Sequence, residues 1–101
     1  MNPKVVSLLG LARRAGKVYS GESQVEAMLK RKKGYLVIIA EDSPGANAKF
    51  GQWAKELNIQ VLLGGDKEEL GLAIGLSPRA VILIADQGFA DAIYKAWDHL
   101  G

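Results

Sequence analysis

A chain of 101 residues is one domain's worth of polypeptide, and 49% hydrophobic with 24% charged residues is a globular composition, far from the polar, highly charged profile of disorder. The absence of cysteine excludes disulfides, zinc–thiolate sites and thiol nucleophiles, and it fits a reducing cytoplasmic setting. The net charge of +2 conceals an asymmetry: residues 1–35 hold eight basic residues against Glu22 and Glu26, and the remainder holds five against nine carboxylates. Such a division points to a polyanionic partner.

The longest apolar runs, residues 36–40 and 80–85, fall far short of the roughly 20 residues that cross a bilayer, so no membrane association is expected. Lys4 and the apolar stretch after it outline a secretion signal. Arg13 and Arg14, however, stand where small residues would mark a cleavage site.

Asn2-Pro3 is a helix start, a capping side chain followed by proline at the first helical position. Val5, Leu8, Leu9 and Ala12 then form one apolar face, and Gly16 stands where a left-handed C-terminal cap belongs. A short edge strand over residues 17–20 leads to a second helix that begins at Ser20 or Gly21. That helix turns Val25, Met28 and Leu29 inward and ends at Gly34. Residues 35–40 show no polar alternation and predict a strand covered on both faces.

Asp42 or Ser43 caps a third helix with Phe50, Trp53, Ala54 and Leu57 inward, and residues 59–63 predict another buried strand. Asp66 and Glu69 have the spacing of a capping box, opening a short helix that buries Leu70, Ala73 and Ile74 and stops at Gly75. A loop at residues 76–79 precedes the last buried strand, residues 80–85. The closing helix turns Phe89, Ile93, Ala96, Trp97 and Leu100 inward. Strands and helices alternate throughout, which predicts an α/β fold, a three-layer α/β/α sandwich in a single domain spanning residues 1–101.

Groups for catalysis are sparse. The one histidine, His99, lies two residues from the end of the sequence, a poor place to hold a general base. No phosphate-cradling or dinucleotide fingerprint is present. Glu41, Asp42 and Asp86 follow two apolar strands, where an open α/β sheet can bind Mg²⁺, but Asp42 and Asp86 serve equally as helix caps. The expectation is therefore no catalytic residue, no metal and no cofactor.

The second helix offers a different chemistry. Its N-terminus presents unpaired backbone N–H groups and positive potential; Gly21 permits close approach, and Ser23 and Gln24 add side chains able to donate and accept at a base edge. Lys17, Arg13, Arg14 and the cluster Lys30, Arg31, Lys32 and Lys33 flank that tip as phosphate contacts. The same cluster also complements the negative end of a helix dipole, and Glu22 suits the positive end.

Four segments resemble the kink-turn-binding ribosomal protein family: residues 21–25, the strand and acidic end over 36–42, residues 70–75, and residues 82–90. Residues 9–18 and 86–90 resemble its bacterial YlxQ-like members in particular. The resemblance implies a mixed four-stranded sheet in an α/β/α sandwich, no catalysis, and binding to a sharply bent RNA duplex with sheared G·A pairs and an extruded nucleotide. The family's second helix begins Gly-x-Asn-Glu-x-x-Lys. Gly21 matches its glycine, whereas Ser23, Gln24 and Ala27 stand at the Asn, Glu and Lys positions.

The resemblance also implies a second contact, the loop before the last strand, which encloses the extruded base. Here that loop is Leu76, Ser77, Pro78 and Arg79. The resulting expectation is a cytoplasmic, monomeric, non-enzymatic protein that binds structured RNA, ribosomal or regulatory, alongside ribonucleoprotein partners. Two rivals are a protein–protein interaction module and a Mg²⁺-dependent enzyme using Glu41, Asp42 and Asp86.

Overall fold

The computed structural model describes residues 1–97, so the expectations placed on His99 and Leu100 lie outside the described residues. Helix α1 (Pro3–Arg14) starts as its sequence dictates: the Val5 N–H donates to Asn2 Oδ1 at 2.9 Å, and Val5, Leu9 and Ala12 are buried. Its end is a Schellman turn through Gly16, with the Gly16 N–H donating to Arg13 O and the Lys17 N–H to Ala12 O, both at 3.0 Å. Strand β1 (Val18–Ser20) and helix α2 (Glu22–Lys30) follow, then strand β2 (Leu36–Ile39).

The third predicted helix is three consecutive pieces, α3 (Pro44–Ala46), a π-helical stretch (Asn47–Gly51) and α4 (Gln52–Glu56). The apolar spacing carried no sign of the widened turn. Phe50 and Ala54 are buried as expected, and Trp53 and Leu57 are half-buried. No side chain caps α3; the Asp42 carboxylate instead accepts the Lys67 N–H at 3.1 Å, at the start of the fifth helix.

Strand β3 (Gln60–Leu63), helix α5 (Lys67–Ala73), strand β4 (Val81–Ile84) and helix α6 (Gln87–Ala96) complete the fold. Both bonds of the Asp66–Glu69 capping box form, and the Asp86 carboxylate caps α6 through the Phe89 N–H at 2.9 Å.

The sheet is mixed and four-stranded, in the order β1-β4-β2-β3, with β2 parallel to β3 and the other two pairings antiparallel. Helices α1, α5 and α6 cover one face, packing Val5, Leu9, Leu70 and Ile93 on Leu36, Ile38, Ile82 and Ile84. Helix α2 and the composite helix cover the other, packing Val25, Leu29, Phe50 and Ala54 on Val37, Ile39, Val81 and Leu83. The central strands β2 and β4 are buried along their whole length, which explains their unbroken apolar sequence.

Strand β3 departs from the expectation of a buried strand. It sits at the border of the sheet, with Gln60 and Leu63 exposed and only Leu62 fully covered. The end of α2 departs too: the helix stops at Lys30 and Lys32 takes the left-handed cap at φ 55°, while Gly34, at φ 127°, lies beyond the cap.

Candidate nucleic-acid interface

Gly21 joins β1 to α2 at φ 84°, ψ 159°, a conformation essentially confined to glycine. Its N–H donates to Val81 O at 3.0 Å and its carbonyl accepts the Val25 N–H at 3.1 Å, so one residue couples the sheet to the helix start. No side chain caps α2. Gln24 Oε1 instead reaches back to accept the Ser20 N–H at 3.1 Å. Gln24 was expected to donate and accept at a ligand; the acceptor is committed to the backbone, and the amide NH₂ is its remaining donor.

The loop between α5 and β4 is drawn against the same point. Arg79 Nε donates to Ser20 Oγ at 3.3 Å, and Arg79 Nη1 donates to Ser77 Oγ at 2.7 Å and to the Ser77 and Pro78 carbonyls, both at 3.1 Å. The guanidinium thus braces its own loop to β1. Gly71 makes this approach possible, because a Cβ there would collide with the Ser77 carbonyl oxygen. Arg13 Nη1 similarly donates to Ile74 O at 2.6 Å, a cation placed on the negative end of α5.

Two grooves open beside these elements. The first, about 650 Å³, is lined by Arg13, Ser20, Gln24, Ala27, Arg31, Leu76 and Arg79, with Gly16, Val18, Tyr19 and Met28 beneath. The second, about 470 Å³, adds Lys17, Lys32, Lys33, Gly34, Tyr35 and Ala85 to the shared Gly16, Tyr19 and Met28. Three arginines line one groove and three lysines the other, and no carboxylate lines either. Two adjoining concavities of one sign concentrate positive potential.

The structure therefore brings Lys17, Gln24, Arg31, Lys32, Lys33, Leu76 and Arg79 into the two grooves. Gly21 lies at their edge, with the Arg79 Cδ 3.9 Å from where its Cβ would stand, and Ser23, Ser77 and Pro78 are exposed nearby in sequence to groove residues. Lys30 separates from the cluster: its Nζ lies 3.2 Å from Glu26, which also accepts Lys49 Nζ at 3.0 Å. Hydrogen bonding to Lys49, and then to Lys30, holds the Glu26 carboxyl below its ordinary range.

Sequence reasoning missed Tyr19, Met28 and Tyr35 as groove residues. Met28 falls on the apolar stripe of α2 and is buried, yet its edge underlies both grooves. Tyr35 had been merged with β2, but it precedes the strand and is 49% exposed. The carboxylates suggested for Mg²⁺ do not assemble. Asp42 and Asp86 each accept a backbone N–H, and among the described residues no group of three or more His, Asp or Glu could hold a metal ion.

Residues 4–94 match the model of the "Ribosomal protein L7Ae/L30e/S12e/Gadd45 family". The chain belongs to that family. Among its relatives, the "RNA-binding protein YlxQ" of Bacillus subtilis is 34% identical over 92 residues, covering 90% of this chain and 92% of that protein. The "Large ribosomal subunit protein eL8" of Picrophilus torridus is 29% identical over 94 residues, covering 91% of this chain and 74% of that protein.

A solved structure of a Bacillus halodurans protein of unknown function superposes with a TM-score of 0.87 at 34% identity, covering 93% of this chain and 96% of that one. The Giardia lamblia 15.5kD RNA binding protein superposes at 0.77 over 94% of this chain and 89% of its own, and at 21% identity that likeness is one of fold. The mixed sheet between two helical layers is thus the L7Ae-family fold, and the similarity runs to YlxQ-type members.

Proposed function

We propose that this L7Ae-family chain binds structured RNA without catalysing a reaction, at a bent duplex of the kink-turn type with an extruded base. The proposal places it as a monomer in the cytoplasm, on ribosomal or other translation-associated RNA. One observation carries the reading: six cations and no carboxylate line two adjoining grooves, the first of which reaches Ser20 and Gln24 at the uncapped start of α2. Phosphate contacts of this kind position a nucleic acid, and a helix start with Gly21, Ser23 and Gln24 beside it supplies the few directional donors that read base edges.

In this reading Lys17, Arg31, Lys32 and Lys33 hold phosphates, and Leu76 with the loop braced by Arg79 closes over the extruded base. Relatives named as RNA-binding and ribosomal support it. No helix among the described residues is long and apolar enough to cross a membrane. The test is equilibrium binding of a kink-turn RNA, the same RNA with its G·A pairs replaced by Watson–Crick pairs, and a straight duplex, each over a salt series. The kink-turn is expected to bind best, with affinity falling steeply as salt rises. Equal, salt-insensitive binding of all three would overturn the proposal.

A further inference from the structure

The second groove, lined by lysines where the first has arginines, also has an exposed aromatic ring at its rim. Tyr35 is 49% exposed, and it stands directly after Lys32, Lys33 and Gly34, all of which line the same groove. Its backbone is fixed, since the Tyr35 N–H donates to Ile84 O at 2.9 Å; the facing rim is fixed as well, since the Ala85 N–H donates to Lys17 O at 2.8 Å.

Lys32 and Lys33 are placed by the end of α2: the Lys32 N–H donates to Leu29 O at 2.9 Å and the Lys33 N–H to Met28 O at 3.0 Å, a left-handed cap that delivers both lysines to the groove. The groove, about 470 Å³, has room for a single planar base, within the roughly 300–1,000 Å³ span of small-ligand sites. A cationic groove with an aromatic platform takes single-stranded nucleic acid by stacking, with backbone phosphates on the lysines.

We infer that the Tyr35 groove is a stacking subsite for one unpaired nucleobase of an RNA strand that continues out of the first groove, with Lys17, Lys32 and Lys33 holding its phosphates. The strand passes over Gly16, Tyr19 and Met28, which both grooves share. The inference rests on the RNA-binding reading and adds that a single-stranded extension of the bent duplex is part of the ligand.

The experiment compares three RNAs, a kink-turn duplex and the same duplex with a three-nucleotide single-stranded extension at one end or the other, against the wild type, Y35F and Y35A, with folding checked by thermal melting. One of the two extensions is expected to tighten binding to the wild type by roughly fivefold or more. Y35F is expected to keep that gain, and Y35A to lose it. Equal affinity for extended and unextended RNA would overturn the subsite and leave the RNA-binding reading standing. An equal loss of all three RNAs in Y35A would overturn it too, because the ring would then act on the main site. Failure of all three RNAs to bind the wild type would overturn the RNA-binding reading itself.

Discussion

Arg79 Nε donates to Ser20 Oγ at 3.3 Å, a bond across 59 residues of sequence that fastens the loop before β4 to the end of β1. With three further acceptors on Ser77 and Pro78, the guanidinium sets the distance between loop 76–79 and the start of α2. Bonds of this type are each worth about 0.5–1.5 kcal/mol. R79A is therefore expected to lower stability by about 1 kcal/mol, to speed amide exchange in residues 76–79, and to weaken RNA binding. R79K separates brace from charge: a lysine keeps the cation and cannot span four acceptors at those angles. Exchange rates in R79K that match the wild type would show that the fork geometry is not what holds the loop.

Gly71 sets the same loop from below. A Cβ there would meet the Ser77 carbonyl carbon at 2.7 Å and the Leu76 carbonyl oxygen at 3.0 Å, both backbone atoms that cannot swing aside. G71A is expected to destabilise the fold by about 1–3 kcal/mol, as overpacking does, even though alanine favours a helix interior over glycine. Urea unfolding measures the sign, and an increase in midpoint would mean that the loop moves away at no cost. Chemical-shift changes should concentrate in residues 76–79.

Local signals in the sequence located most elements because each is complete within a few residues. Asn2-Pro3 and the Asp66–Glu69 box define helix starts through their own hydrogen bonds, and Gly16 and Gly75 end α1 and α5 in the left-handed conformation. Gly34 misled for a tertiary reason. It stands at φ 127° in the connection from α2 to β2, a backbone conformation that favours glycine, and an added Cβ would also lie 2.8 Å from the Leu83 Cδ1, so it marks that connection and not the helix end. Strand β3 misled because an apolar run cannot tell a central strand from a border one; only the sheet order does.

The candidate site was legible as a list of basic residues but not as a surface. Lys30, Arg31, Lys32 and Lys33 are consecutive in sequence, yet the helix ends at Lys30 and the backbone reverses at Lys32. Lys30 stays on the helical stripe of Glu26, four residues back, and the next three turn into the grooves. Arg79 was legible as a cation, but its role as a brace depends on Ser20, which no spacing rule connects to it.

That separation is measurable through Glu26. Its folded pKa is lowered from 4.5, by the hydrogen bond to Lys49 first and by Lys30 next. A carboxylate with a depressed folded pKa contributes stability that is present above its unfolded pKa and is lost as pH falls through the folded value. Acidification below about pH 4.5 is expected to remove this contribution. In NMR titrations of the side-chain carboxyl, K49M should raise the Glu26 pKa towards its ordinary value and K30M should do so less; no change in either variant would show that the triad does not form in solution. At neutral pH Glu26 neutralises Lys30, so K30A should weaken RNA binding less than K33A.

Lys32 places stability and binding in opposition. A non-glycine residue in the left-handed region carries about 1–2 kcal/mol of strain, and glycine offsets part of the gain through its freedom in the unfolded chain. K32G is accordingly expected to stabilise the protein by about 0.5–1 kcal/mol while removing one groove cation. RNA affinity should fall, and the slope of log affinity against log salt should become shallower by about 0.7–0.9, the contribution of one phosphate. Asn58 provides the control, since it has the same backbone conformation at φ 59° and lines neither groove. N58G should stabilise by less, because asparagine tolerates that conformation, and should leave RNA affinity unchanged. If the two glycine variants altered RNA binding equally, the change would belong to the fold as a whole, and Lys32 would have no separate part in holding the ligand.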